Sequence, residues 1–251
     1  MDGFRNRKFG LIHTPEARLA KVPFITDHID LTVRLPLIAD RVDYFARWAD
    51  RYESNGLLGN GRVGDCVQVW AANSLGTAQA NSTGDLMSFT EAQVVGWYMA
   101  VTGYVEGDES TDNGTDPVDM LQWLKGQGMI EFWGRVDPLN TAHCAAATEL
   151  FGGLGLAVDL PQDWEYTRDW NLTTSPIVGG HMILGSGFDA DGNMPVQTWA
   201  MKPPPVLANA ARIQYAQAAF VMGTREWLRA TGQTLQGFDL AGLQARLALV
   251  A

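Results

Sequence analysis

Two glycine-rich segments, far apart in the chain, set what it can fold into. GNGRVGDC ends at Cys66 and runs into a helix-like stretch, CVQVWAANSLGTAQA. GGHMILGSGFDADG places Gly179-Gly180 ahead of His181 and opens a strand-like stretch. Glycine lets a backbone turn sharply, or approach another segment where a side chain would block it. A cysteine at a helix start and a histidine at a strand start therefore call for a fold in which a helical part touches a sheet.

The remaining pattern follows that division. Residues 1–54 read as an extended, proline-bearing arm and then a helix, with Val42, Phe45 and Trp48 at helical spacing. Ser88-x-x-Glu91 and Thr90-x-x-Gln93 both fit a capping box, so a helix begins there and runs through Val101. Asp116-Pro117 supplies a cap and a first-turn proline for a helix ending at Gly126 or Gly128. Residues 141–151 read as helix, whereas LGLAVDL, HMILGSGFD and MPVQTWA read as strands, with turns at Gly152-Gly153 and Asp191-Gly192. ARIQYAQAAFVMG and FDLAGLQARLALV return to helical periodicity. The expected organisation is an arm and helix (1–54), a helical subdomain with Cys66 (55–135), a sheet subdomain with His181 (136–205) and C-terminal helices on the core (206–251).

A thiol acts as a nucleophile only as thiolate, and a helix N-terminus or a neighbouring imidazolium favours that anion. Cys66 stands where the glycine-rich loop meets its helix, and Asn60, six residues upstream, offers a side-chain amide to a developing oxyanion. His181 is the candidate base. Gln197 lies on the next strand, in position to orient the imidazole if the two strands form a hairpin through Asp191-Gly192, and Trp199 could shield that contact. Cys144 and His143 sit side by side in an alanine-rich helix and face different ways, which gives them a structural reading. The acidic loop 106–116 and the turn at 189–192 lack calcium-loop spacing and read as solvated loops.

Composition narrows the partners. With 251 residues, 46% hydrophobic and 18% charged, the chain can bury a large core. Its net charge of −10 argues against nucleic acid or an anionic membrane surface. No apolar run reaches membrane-spanning length, and the N-terminus has no secretory h-region. Two cysteines are too few for a disulfide framework or a thiolate metal site, and no metal or organic cofactor is implied.

Taken in order, GDC before a helix, FTEAQ, DNGTDPVDMLQWLKGQGM, ELFGGLGLAVDLP, GGH followed by FDADG, and QTWA resemble the papain-like cysteine peptidase superfamily. They are most similar to a branch found in bacteriophage and bacterial genomes, along residues 55 to 202. The resemblance implies an α+β fold with a helical left half carrying Cys66, an antiparallel-sheet right half carrying His181, and the active cleft between them. It also implies Cys66 as nucleophile, His181 as base, Asn60 in place of the oxyanion glutamine, and Gln197 in place of the orienting asparagine. The sequence departs from the family pattern at these supports. Cys66 lacks the nearby second cysteine and following aromatic of the family signature, and QTWA replaces Asn with Gln and Gly with Ala.

Two functions stay open at this level. One is a cysteine hydrolase of a peptide or amide, probed by a low thiol pKa, an open cleft and dependence on Cys66. The other is a virion or assembly protein that uses the fold as a block, its arm (1–40) binding neighbouring subunits and its thiol idle. The arm has no inhibitory-propeptide pattern. By resemblance, the setting is a host cytoplasm or a phage virion.

Overall fold

A computed structural model describes residues 8–29, 39–46, 49, 57–85, 87–224 and 227. Six α-helices lie among the described residues: α1 (Glu16–Leu19), α2 (Cys66–Thr83), α3 (Glu91–Thr102), α4 (Pro117–Gly126), α5 (Thr141–Phe151) and α6 (Asn209–Tyr215). The strands are β1 (Val42–Asp43), β2 (Phe132–Val136), β3 (Leu154–Pro161), β4 (Asp169–Trp170), β5 (Ile177–Gly185), β6 (Gly187–Phe188), β7 (Met194–Gln197), β8 (Val206–Leu207) and β9 (Ala216–Gly223). Seven of them form one sheet in the order β2-β9-β3-β5-β7-β8-β4, antiparallel except for β4 beside β8. The α+β expectation holds.

Helix α2 is the structural pivot. It is buried along most of its length because it lies between β5 of the sheet and helices α3 and α4. Its small residues permit that burial, and Trp70 seats its indole on β3, where a Cβ at Gly155 would come within 2.3 Å of the ring. The capping signals work as read, with one choice made. Thr90, rather than Ser88, caps α3, and it exchanges both capping-box bonds with Gln93. Asp116 accepts from Val118 N at 2.9 Å ahead of Pro117, so α4 starts where the cap and proline dictate. Gly84, Gly103 and Gly152 end their helices in the left-handed conformation.

Two helical expectations are corrected. Val42 and Asp43 form a short strand against Phe188 and Gly187, and Asp43 then accepts from the N–H groups of Phe45 and Ala46 to turn the chain. Gly187 permits this pairing, since a Cβ there would lie 2.1 Å from Val42 O. Trp48, the third residue of that pattern, lies outside the described residues. In ARIQYAQAAFVMG the helix stops at Tyr215, and Ala216–Gly223 becomes β9, inside the sheet between β2 and β3. A strand covered on both faces loses its alternation, so its apolar run mimics a buried helix. The segment FDLAGLQARLALV also lies outside the described residues.

An aromatic stack links the sheet to the region of His181. Trp164 and Trp170 stack at 4.7 Å, Trp170 meets Trp199 edge-on at 6.5 Å, and Trp199 stacks on His181 at 4.0 Å with an interplanar angle of 15°. Among the described residues no helix is long and apolar enough to cross a membrane.

Candidate active site

Cys66 is the first residue of α2. The backbones of Met182, the residue after His181, and of Gly10 and Val67 act to favour the thiolate, against a larger effect of burial. The helix that Cys66 begins packs against β5, the strand that carries His181. His181 is buried in β5 opposite Val158 of β3.

The hairpin between the histidine strand and the next is present, with Leu184 opposite Gln197. The side chain that reaches the imidazole is nevertheless not Gln197. His181 Nε2 lies 2.7 Å from Thr198 Oγ1, whereas Gln197 Nε2 donates to Thr77 Oγ1 of α2 at 3.1 Å. Strand β7 ends at Gln197, so strand alternation does not carry over to Thr198 and Trp199. Trp199 and Ala200 take φ values of 45° and 53°, a left-handed turn that lays the indole on the imidazole. Non-glycine residues in this conformation are held at a cost of about 1–3 kcal/mol each. Ala200 therefore stands at a position where a glycine would be relaxed.

Asn60 is buried in the loop before Cys66 and donates its backbone N–H to Leu57 O at 2.6 Å. Its side-chain Nδ2 finds no acceptor among the described residues. A buried amide donor left over beside a helix N-terminus suits an anion.

The expected open cleft is filled. Residues 8–13 of the N-terminal arm run between the Cys66 loop and the His181 strand. Gly10 O accepts from Thr115 N at 2.7 Å, Ile12 N donates to Thr115 O at 3.0 Å, and Leu11 N donates to Gly180 O at 3.4 Å. Gly10 crosses so tightly that a Cβ on it would lie 1.7 Å from Gly64 O. On the other wall, a Cβ at Gly179 would come within 2.8 Å of the Phe9 ring, and Phe9 meets Trp199 edge-on at 6.2 Å. The Gly-Gly before His181 is explained by this approach. Burial pushes the Cys66 thiol up to about 12, the backbones of Met182 and Gly10 acting the other way, against the low value a free cleft was expected to give.

Charged contacts hold the arm. Lys8 Nζ bonds Asp112 Oδ2 at 2.9 Å, His13 Nε2 lies 2.9 Å from Asp159 Oδ1, and Arg18 bonds Asp116 at 2.7 Å and Asp119 at 2.6 Å. Thr14 Oγ1 also donates to Asp116 Oδ1. The acidic loop 106–116 is thus only partly a solvated loop, since Asp112 and Asp116 are built into the structure. Asp112 Oδ1 accepts from Gly64 N at 2.9 Å and from Tyr98 Oη at 2.8 Å. Burial opposes ionisation of Asp112, but Lys8, Gly64 N–H and Tyr98 Oη together hold its carboxyl below the usual range. Neither the arm contact nor Asp112 was anticipated from sequence; a glycine isolated in a basic arm was the available signal.

Asp65, beside the thiol, is buried with neither oxygen bonded to another described residue. Burial first, then Glu91 and Asp112, hold its carboxyl well above the ordinary value; its own N–H and Arg62 act the other way. The unfolded chain releases this proton near pH ~4 while the folded chain retains it, so stability falls as pH rises from there through the raised value. Asp65→Asn removes that dependence. At pH 7 it should be more stable than the parent, and the gain should vanish near pH ~4, as read by urea melts across that range. A gain independent of pH would contradict this account.

Cys144 has the structural role read for it: its thiol is buried, donates to Asp137 O at 3.4 Å and takes Arg212 Nη1 at 3.3 Å. Asp189 closes its own turn, accepting from Asp191 N and Asn193 N. Among the described residues no three His, Cys, Asp or Glu side chains are grouped to hold a metal.

Solved structures resemble this architecture. Xylellain, a cysteine protease from Xylella fastidiosa, superposes with a TM-score of 0.66 at 13% identity, over 89% of this chain and 98% of that one. The Carica candamarcensis cysteine protease CMS1MS2, in complex with E-64, gives 0.53 at 12% identity, over 74% and 99%. Digestive procathepsin L 3 of Tenebrio molitor larval midgut gives 0.55 at 11% identity, over 88% and 77%. The fold is papain-like. No family model and no curated protein matches the sequence. The likeness is one of fold.

Proposed function

We propose that this chain is a cysteine hydrolase of peptide or amide bonds, held at rest by its own arm. The observation that supports this reading is Cys66 at the start of a helix packed against the His181 strand, with the imidazole 2.7 Å from Thr198 Oγ1 and covered by Trp199. In the proposed reaction His181 takes the thiol proton, and the thiolate attacks the carbonyl carbon. The oxyanion draws on the Cys66 N–H at the helix start and on the Asn60 amide. His181 returns its proton to the leaving amine, and water then cleaves the acyl-thioester to regenerate the thiol.

A second reading is favoured by one observation. The thiol is fully covered and raised to about 12, which also fits a virion or assembly block in a phage setting whose site is idle. A set of internally quenched peptides, offered to a Gly10→Val chain with the arm displaced, separates the two. Turnover that disappears with Cys66→Ala in the same background is expected. Absence of turnover while the thiol is demonstrably accessible would favour the assembly block.

A further inference from the structure

Lys8, His13 and Arg18 of the arm each meet a carboxylate, and one of those carboxylates is unlike the rest. Asp159 and Asp119 are 33% and 47% exposed, whereas Asp112 is 2% exposed. Asp116 is also buried, but its carboxylate caps α4. Asp112 divides its two oxygens. Oδ1 is taken by Gly64 N, two residues before Cys66, and by Tyr98 Oη, which in turn accepts from Gly114 N at 2.8 Å. Oδ2 takes only the arm's Lys8 among the described residues. The carboxylate is fixed by the fold through one oxygen and presented to whatever lies in the groove through the other.

We propose that Asp112 is a specificity residue of this cleft, selecting an extended peptide whose cationic side chain, lysine or arginine, takes the place that Lys8 occupies at rest. This rests on the hydrolase reading for the meaning of the groove. The arm is the built-in example of such a ligand: a lysine on Asp112, an aromatic ring beside Trp199, and a glycine where Gly64 and Gly114 leave room for no side chain. A Cβ on Gly114 would itself lie 2.4 Å from Gly10 O. A neutral or acidic side chain at the lysine position would leave a nearly buried carboxylate without its counter-charge.

The test uses the full chain carrying Gly10→Val and the peptide acetyl-KFGLIHT-amide, with arginine, norleucine or glutamate in place of its lysine. Protection of Cys66 from iodoacetamide is the readout, so no turnover is needed. The lysine and arginine peptides should protect at about 10- to 100-fold lower concentration than the norleucine peptide, the range for a charge-assisted bond. Glutamate should be weaker still. Asp112→Asn keeps an acceptor for Gly64 and Tyr98 and should erase the preference while leaving the melting transition cooperative. Equal protection by all peptides, protection by none, or a preference that survives Asp112→Asn would overturn the assignment. Charge preference without any cleavage would retain Asp112 as a binding residue and remove the hydrolase reading.

Discussion

Gly10→Val should raise the rate of Cys66 alkylation at pH 8 by about 100-fold or more, because it removes the cover from the thiol. With burial pushing the thiol up to about 12 in the resting chain, the reactive thiolate is scarce at pH 8, and the arm also blocks reagent access. A Cβ at residue 10 meets the carbonyl oxygen of Gly64 at 1.7 Å. That is a backbone atom and cannot rotate away. Gly64 is pinned by Asp112 and by the start of α2, so the arm is the partner that yields. Phe9→Asp, which takes a ring off Trp199 and Gly179, should accelerate alkylation in the same direction. Unchanged alkylation in both variants would mean that the arm does not control access. The comparison needs a melting curve beside it, since a globally loosened chain would also expose Cys144, and labelling of Cys66 alone is the expected pattern.

His181→Ala, placed in the Gly10→Val background, should lower Cys66 alkylation at pH 6 by about 100-fold and change it little at pH 9. The sign follows from the pair. In the proposed hydrolase an imidazolium paired with the sulfur favours the thiolate, so the uncovered thiol of the Gly10→Val chain should stay reactive in acid. Without it the thiol returns toward its ordinary value near ~8.5, and at pH 6 only about one in three hundred is ionised. At pH 9 both chains are mostly thiolate. Thr198→Val should show a smaller loss with the same pH shape, because the ring remains but its bond to Thr198 Oγ1 is gone. If the alkylation profile is the same with and without His181, the imidazole and the thiol do not act as a pair.

The helix caps were legible in the sequence because they depend on local chemistry. Asp116-Pro117 and Thr90-x-x-Gln93 specify helix starts within four residues. Gly179-Gly180 signalled a close approach, although the segment that approaches, Phe9 to Leu11, could not be named without the fold. Residues 216–223 were misread because a strand between β2 and β3 is apolar on both faces. Thr198 was overlooked because the motif comparison favoured an amide, and a backbone that leaves the strand at Gln197 changes which side chain faces the imidazole. The Asp112 bond spans a separation of 104 residues to Lys8. No local pattern carries a contact of that kind.

The route of residues 10–12 has a further meaning for what can replace them. Thr115 and Gly180 offer main-chain N–H and C=O groups on opposite sides of the groove, and the arm satisfies them with its own backbone. Once it withdraws, two short polypeptide edges face water, the kind of surface that captures any extended chain nearby. A compact amide with a single carbonyl has too few main-chain groups to serve both edges. On the proposed reading, a ligand with consecutive peptide units is what closes both edges again, so the groove would select for chain length before it reads any side chain.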